Sequence, residues 1–129
     1  MEPRIGEVVC SVDSLLRLIE HVRRPNLKAN LDTGHFSAER ENIVLSVAKL
    51  KGNFANVHVA DNDPSTSAHL AIGDGSIDWK EFLLTLHREG YSGYLGLDIG
   101  ASDHLAADYM RSAERLLELG SELNIPMER

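Results

Sequence analysis

Cysteine is nearly missing from this sequence of 129 residues, which contains only Cys10. A single cysteine cannot form an internal disulfide, so the disulfide-rich scaffolds of small secreted proteins are excluded. Long apolar runs are missing too, since no stretch reaches the roughly 18 to 20 residues that span a bilayer, and the first residues lack the apolar core of a signal peptide. We therefore expect a cytoplasmic chain without a membrane partner, in which Cys10 is a small core thiol.

Positive charge is also scarce. The sequence has 13 Lys and Arg residues against 20 Asp and Glu residues, which gives a formal net charge of -7. Affinity for nucleic acid depends heavily on neutralising phosphates with cationic side chains, so we expect no nucleic-acid partner. A small anionic substrate is compatible with this charge, because a few local cations suffice. With 43% hydrophobic and 26% charged residues, the composition is typical of one globular domain, which we assign to residues 1–129.

Helix-like and strand-like stretches alternate along the chain. Apolar residues at helical spacing predict four helices, which begin near Ser11, Ser37, Asp78 and Leu105, the first three of these being plausible N-caps. Short apolar stretches between the helices predict strands at residues 26–31, 54–60 and 94–98. Strands separated by roughly 30 to 40 residues that include a helix are typical of repeated β-α units. The sequence therefore predicts an α/β fold with parallel strands.

Potential metal ligands stand at the C-terminal end of each predicted strand. They are Asp32 and His35 after the first strand, His58 and Asp61 after the second, and Asp98 after the third. Between Asp32 and His35 we expect Gly34 to permit a tight turn. The carboxyl ends of neighbouring parallel strands meet at one edge of a sheet, roughly 5 Å apart. Side chains from the three strands are therefore expected to converge on one ion.

Four stretches carry a resemblance to a known family. They are PNLKANLDTGH at residues 25–35, VHVAD at 57–61, HLAIGDGSIDW at 69–79 and GYSGYLGLD at 90–98. In this order they resemble the sugar phosphate isomerase/epimerase superfamily, the xylose-isomerase-like TIM barrels that also include an AP endonuclease branch. Residues 1–4 resemble the carboxylate-bearing end of that family's fifth strand. The resemblance implies a partial TIM (β/α)8 barrel that corresponds to about the C-terminal half.

The resemblance also implies roles for individual residues. Glu2, Asp32, His58 and Asp98 match the family's metal ligands, and such a set of oxygen and nitrogen donors suits a divalent Mn, Mg, Co or Zn ion. Glu2 and Asp98 are implied as the catalytic pair that exchanges a carbon-bound proton of a small sugar, sugar phosphate or polyol, through an enediolate that the metal stabilises. Substrate contacts are expected from His35, His69 and Asp61, of which Asp61 can equally serve as a turn former.

Two departures from the family pattern leave alternatives open. The family usually has glutamate at the position of Asp98, whose carboxylate reaches about one C–C bond less far. Because catalysis depends on precise positioning, a catalytically silent barrel fragment or binding module is the second hypothesis. An AP endonuclease-like zinc hydrolase is the third hypothesis, in which His35 and His69 would ligate further zinc ions. Ser67, however, stands where that branch has an aspartate, which disfavours it.

The chain is also short for the fold that it resembles. A whole barrel takes about 250 residues and eight strands, whereas this sequence supplies three strands and the end of a fourth. We therefore expect it to need a missing N-terminal half-barrel, or a second copy, as its partner. An open half-barrel would expose inner-facing apolar residues and two unpaired strand edges, so we expect the isolated chain not to be a well-behaved monomer.

Overall fold

Three parallel strands form the sheet of the computed structural model, which describes residues 1–64, 66–100 and 102–128. The elements are α1 (Val12–Val22), β1 (Ala29–Asp32), α2 (Thr33–Ala38), α3 (Ile43–Lys49), β2 (Phe54–Val59), α4 (Trp79–Arg88), β3 (Leu95–Leu97) and α5 (Leu105–Glu122). The strand order is β1-β2-β3, and both pairs are parallel. The predicted α/β fold with parallel strands is confirmed. Within the described ranges, no helix is long and apolar enough to cross a membrane.

Two helices begin at the caps that the sequence predicts. Ser11 accepts the backbone N–H of Ser14 at 3.1 Å, and its own N–H donates to the Ser14 hydroxyl at 3.0 Å, so α1 begins with a reciprocal cap. Asp78 accepts the backbone N–H of Glu81 at 3.1 Å at the start of α4. Each cap satisfies N–H groups that have no partner within the helix. These local bonds therefore fix where α1 and α4 start.

The segment after β1 differs from the prediction of one helix beginning at Ser37. Two short helices, α2 and α3, occupy it, and Ser37 lies inside α2. Asp32 caps α2 by accepting the backbone N–H of His35 at 2.9 Å, and Asn42 caps α3 in the same way. The Ser37 cap was wrong because Asp32 supplies a carboxylate acceptor directly at the end of the strand. The first helix after β1 consequently starts at the strand end itself.

The strands are also shorter than predicted, and β1 begins at Ala29 instead of residue 26. The backbone N–H of Leu27 donates to the carbonyl of Arg24 at 3.0 Å, so the chain turns there before it becomes extended. Pro25 lies inside this turn and has no N–H to give to a sheet. The C-terminal ends of the strands, which carry the candidate ligands, lie within about one residue of the prediction.

The two faces of the sheet differ in polarity. Leu31 and Val57 are fully buried in the core that the strands form with the helices. At alternate positions, Asn30, Asn56 and His58 lie on the opposite face, and Asn56 is exposed. The expectation that this inner face would be apolar was wrong. From Asn30 onward it is a polar layer beneath the candidate ligands.

Met1 pairs with the outer edge of β1. Its amino group donates to the carbonyl of Lys28 at 2.8 Å, and the N–H of Asn30 donates to the Met1 carbonyl at 2.6 Å. This is the hydrogen-bond pattern of parallel strands. The strand end expected at residues 1–4 is thus reduced to one paired residue, which holds Glu2 beside β1. The other outer strand of the sheet is β3.

The loop between β2 and α4 is held by the carboxylate of Asp61. Asp61 is buried, and its two oxygens accept hydrogen bonds of 2.8 to 3.2 Å from the backbone N–H groups of Asn62, Gly73 and Ile77 and from the indole N–H of Trp79. Its backbone also pairs with Leu70 in both directions, at 2.8 and 2.7 Å. Asp61 therefore holds the loop against the end of β2. The pairing with Leu70 also fixes the position of the preceding residue, His69.

We expect Asp61→Asn to destabilise the chain by about 2 to 4 kcal/mol. The amide nitrogen would replace one oxygen and face two N–H donors, which would stay buried without an acceptor. A thermal melt followed by circular dichroism should show Tm lowered by roughly 10 °C at matched protein concentration. The exposed carboxylate of Asp103 provides the matched control, and Asp103→Asn should shift Tm by less than about 2 °C. Equal shifts in both variants would contradict the role assigned to Asp61.

We also expect the purified chain to self-associate. The outer strand β3 follows Tyr94, which is 89% exposed, and borders an apolar groove of about 580 Å³ that α4, α5 and residues 125–128 line. An outer strand next to apolar surface favours pairing with another chain. Size-exclusion chromatography with light scattering should give a mass above 14.3 kDa that grows with concentration. Tyr94→Lys should shift the distribution toward the monomer, and a sharp monomeric peak of the unmodified chain with a cooperative melt would contradict this prediction.

Candidate metal centre

Three carboxylates converge on the imidazole of His58. The sheet register pairs Asp32 with His58, and His58 with Gly96, two residues before Asp98. His58 Nδ1 lies 3.3 Å from Glu2 Oε2 and 3.6 Å from the Oδ2 atoms of both Asp32 and Asp98. The structure therefore brings together all four of the candidate metal ligands, Glu2, Asp32, His58 and Asp98.

Asp32 is the most enclosed residue of this cluster. Its side chain is fully buried. Oδ1 accepts the backbone N–H of His35 and so caps α2, whereas the buried Oδ2 has no hydrogen-bond partner among the described residues. Burial raises the pKa of Asp32, and the hydrogen bond from His35 and the nearby imidazoles of His35 and His69 offset this only in part. A buried carboxylate oxygen without a partner is costly. A cation held there would satisfy it.

The donors fit a divalent metal ion. Glu2, Asp32 and His58 each offer one ligand atom, and these atoms lie within 4.8 Å of one another. Carboxylates and an imidazole, without sulfur, suit Mn, Mg, Co or Zn. The Asp98 side chain is 45% exposed while that of Glu2 is 12% exposed, so the cluster opens to solvent on the side of Asp98. A catalytic metal site needs such an open side.

Glu2 is held in place by two neighbours. Arg4 Nε donates to Glu2 Oε1 at 2.9 Å, and the Asn30 amide donates to Glu2 Oε2. Burial alone would raise the pKa of Glu2, but the hydrogen bonds from Arg4 and Asn30, together with the charge of Arg4, outweigh it and lower the pKa below its usual value. Glu2 is therefore ionised at neutral pH.

His35 and His69 lie against the same cluster. Their rings meet edge to face with centroids 4.6 Å apart. His35 Nε2 lies 3.3 Å from Glu2 Oε1, and His69 Nε2 lies 3.8 Å from Asp32 Oδ1. The main-chain carbonyl of Asp98 lies 2.9 Å from His69 Nδ1 and steadies that ring. Both imidazoles thus border the space that a small molecule bound at the cluster would enter.

Gly34 makes room for His69. The sequence predicts this glycine for its backbone freedom in a tight turn, but Gly34 lies within the helix α2 and is not among the glycines with positive φ. A Cβ at this position would lie 2.8 Å from His69 Nε2, closer than real Cβ atoms come. The turn interpretation was therefore wrong, and the close approach of the His69 ring accounts for the glycine.

One expected site residue lies outside the cluster, and two unexpected residues lie within reach of it. Both oxygens of Asp61 are occupied by the loop donors, so we assign it the structural role and not a substrate contact. Asn30 and Arg4 contact Glu2 and were not singled out from the sequence. Asn30 stands two residues before Asp32 and shares its face of the strand, a spacing that could have identified it.

Similarity to known proteins extends over most of the chain. The family model of the xylose isomerase-like TIM barrel matches residues 1–119. Uncharacterized protein MJ1311 from Methanocaldococcus jannaschii is 32% identical over 96 residues, which cover 72% of this chain and 32% of that protein. Ketose 3-epimerase from Arthrobacter globiformis is 28% identical over 96 residues, covering 74% and 32%. The crystal structure of a D-tagatose 3-epimerase-like protein matches with a TM-score of 0.82 and 28% identity, covering 95% of this chain and 46% of that one.

The lengths of these relatives define how much of the fold is present. The chain spans about a third of the length of the curated relatives that it matches and about half of the structural relative. Its three parallel strands and their helices are accordingly part of a barrel, as the sequence predicts. Because the family model covers residues 1–119, the chain belongs to the xylose isomerase-like TIM barrel family.

Proposed function

We propose that this chain is the metal-binding part of a divalent-metal-dependent isomerase or epimerase that acts on a small sugar, sugar phosphate or polyol. The observation that carries the proposal is the approach of Glu2, Asp32 and Asp98 to within 3.6 Å of one imidazole nitrogen. Relatives of this chain include a ketose 3-epimerase, which supports the substrate class.

In this proposal Glu2, Asp32, His58 and Asp98 hold the metal ion. When bound, the metal polarises neighbouring substrate oxygens and stabilises the negative charge left when a carbon-bound proton departs. Such assistance is needed because a carboxylate is a weak base toward a C–H bond. The buried Oδ2 of Asp32, which lacks another partner among the described residues, supports its assignment as a ligand.

Glu2 and Asp98 are the proposed proton-transfer pair. The lowered pKa of Glu2 keeps it ionised and able to accept a proton. Asp98 lies on the open side of the cluster, where its carboxylate can exchange a proton with water. One carboxylate removes the carbon-bound proton and the other returns a proton to the opposite face of the same carbon, which inverts its configuration.

His35 and His69 are the proposed substrate-binding residues. Their side chains are 16% and 11% exposed, so each ring is mostly enclosed but keeps an edge toward the cluster. A neutral imidazole offers one N–H donor and one acceptor nitrogen, which matches the hydroxyl groups of a sugar. The two rings can therefore orient the substrate oxygens relative to Glu2 and Asp98.

Activity in this proposal requires a completed barrel. The chain matches only 32% of the ketose 3-epimerase and 46% of the structural relative, so in this proposal the other strands come from the missing N-terminal half-barrel or from a second copy. A cytoplasmic location stays a prediction from the composition.

Two further functions remain as alternatives, each favoured by one observation. Asp98 in place of the usual glutamate, with its side chain 45% exposed, favours a catalytically silent fragment or binding module. The group Asp32, His35 and His69, with ligand atoms within 4.8 Å of one another, favours a second metal ion and hence an AP endonuclease-like zinc hydrolase. The net charge of -7 argues against the latter, because its substrate is a polyanion.

We expect the chain to bind Mn²⁺ with a micromolar or tighter Kd, measured by isothermal titration calorimetry. Asp32→Asn removes a ligand charge while retaining a residue that can cap α2, and His58→Ala removes the central nitrogen. Each variant should weaken binding by at least about 100-fold. His87→Ala is the matched control, because His87 is exposed on α4 and lines the apolar groove instead. An unmodified chain that binds no metal in this range would rule out the metalloenzyme.

We further expect the metal-loaded chain, in its associated form, to exchange the proton beside the carbonyl of a ketose such as D-fructose with solvent. Mass spectrometry of the sugar after incubation in D₂O measures the exchange. Glu2→Gln should slow it by at least about 100-fold, since the general base is lost. Asp98→Glu should accelerate it, because the longer side chain regains the reach usual in the family. Metal binding without exchange in both the unmodified chain and Asp98→Glu would exclude an active barrel completed by a second copy of this chain.

A further inference from the structure

The guanidinium of Arg4 lies beside the candidate metal centre with one edge engaged and one edge open. Its Nε and Nη2 atoms lie 2.9 and 2.8 Å from the same atom, Glu2 Oε1. These two nitrogens form one edge of the planar group, so three of its five N–H bonds remain for another partner. The Arg4 side chain is 61% exposed, whereas that of Glu2 is 12% exposed. The Nη1–Nη2 edge is therefore accessible to a ligand.

The two oxygens of Glu2 set the distance between this cation and the cluster. Oε1 contacts Arg4, whereas Oε2 lies 3.3 Å from His58 Nδ1. One carboxylate group thus separates the guanidinium from the point on which the candidate ligands converge. An anionic group bound to Arg4 would consequently lie a few bonds away from a carbon atom held at the cluster.

The charges of the cluster show what Arg4 contributes. Glu2, Asp32 and Asp98 carry three negative charges when ionised, and a divalent ion would offset two of them. Arg4 offsets the third. A phosphate ester brings up to about two further negative charges, which a site with a net negative charge would repel. With Arg4 present, such a substrate meets a cation at the rim of the cluster.

A shallow depression of about 230 Å³ lies among the segments that build the cluster, and it has room for a phosphate group. It is lined by Ile5, Ala38, Pro64, Thr66 and Ser67. These residues belong to the segment that follows Glu2, to the helix α2 that carries His35, and to the loop that leads to His69. None of the five is acidic, and the hydroxyl groups of Thr66 and Ser67 can donate to phosphate oxygens.

We propose that Arg4 is a specificity-determining residue: its open edge binds the phosphate group of a ketose phosphorylated at its terminal carbon, and Thr66 and Ser67 complete the phosphate subsite. A guanidinium edge matches two phosphate oxygens at once. The inference rests on the proposed function and deepens it, because it selects a sugar phosphate over a neutral sugar or a polyol.

The ratio of two affinities tests the role of Arg4. Isothermal titration calorimetry measures the binding of D-fructose 6-phosphate and of D-fructose to the Mg²⁺-loaded chain in its associated form. The phosphorylated sugar should bind at least about 10-fold more tightly, the usual effect of a hydrogen bond to a charged group. Arg4→Gln should reduce this ratio to about one. A loss of support for Glu2 would weaken both sugars alike and leave the ratio unchanged.

Arg24→Gln is the matched control, because Arg24 is exposed in the turn before β1, at the end of the strand remote from the cluster. This variant should keep the preference for the phosphorylated sugar. An unmodified chain that binds neither sugar, or binds both equally, would overturn the proposal. A preference that persists in Arg4→Gln would overturn it too, since the phosphate would then contact the metal ion or another part of the chain.

Ser67→Asp tests the depression without altering the contact between Arg4 and Glu2. A carboxylate in the wall should repel the phosphate and lower the affinity ratio by about 10-fold. Ser92→Asp introduces the same charge at an exposed position beside the apolar groove, and it should change the ratio by less than about twofold. An unchanged ratio in Ser67→Asp would overturn the placement of the phosphate in this depression.

Mg²⁺ binding measured without sugar separates this inference from the proposed function. If the chain binds Mg²⁺ and D-fructose but shows no preference for the phosphorylated sugar, the assignment of Arg4 fails while the proposed function stands. If the chain binds no Mg²⁺ but prefers D-fructose 6-phosphate, and Arg4→Gln abolishes that preference, the proposed function fails and Arg4 keeps its role in binding phosphate.

Discussion

The in-register parallel pairing of β1, β2 and β3 is the constraint on which the candidate site depends. Asp32 lies opposite His58, and His58 lies opposite Gly96, so that the strand ends deliver their polar side chains to one edge. Side chains alternate between faces along a strand, and a slip of one residue in β2 would turn His58 into the apolar core and Val57 toward the carboxylates. Burial of Val57 and Val59 against the helices prevents that slip. The hydrophobic pattern therefore specifies the site as well as the fold.

The cluster itself works against stability. Three carboxylates around one imidazole repel each other, and the deepest of them, Asp32, is removed from water. Hydrogen bonds from Arg4 and Asn30 stabilise the Glu2 carboxylate. The backbone N–H of His35, at the start of α2, stabilises one oxygen of Asp32. The remaining Asp32 oxygen has no partner within the part of the chain that the structure describes. Such local cost is typical of sites that bind an ion or carry out chemistry.

Sequence patterns predicted most of what positions the site, because the signals were local. The strand ends at Asp32, His58 and Asp98 followed from apolar stretches that stop at ionisable residues, and the parallel order followed from the spacing. What the patterns missed depends on contacts between distant segments. The space needed by His69 explains Gly34, and the contact with Glu2 distinguishes Asn30 from other strand asparagines. The polarity of the inner face was likewise misjudged, since alternation shows which residues share a face but not which face meets the ligand.

The two oxygens of Asp32 tie the candidate metal centre to the start of α2. Because Oδ1 accepts the N–H of His35 while Oδ2 turns to the cluster, the imidazole of His35 lies only three positions along the chain from the Asp32 carboxylate. The distance between the Asp32 carboxylate and the His35 ring is therefore set by a very short span of chain and hardly by the packing of whole helices. Sequence drift in the distant core could then alter the stability of this protein considerably while leaving that spacing intact.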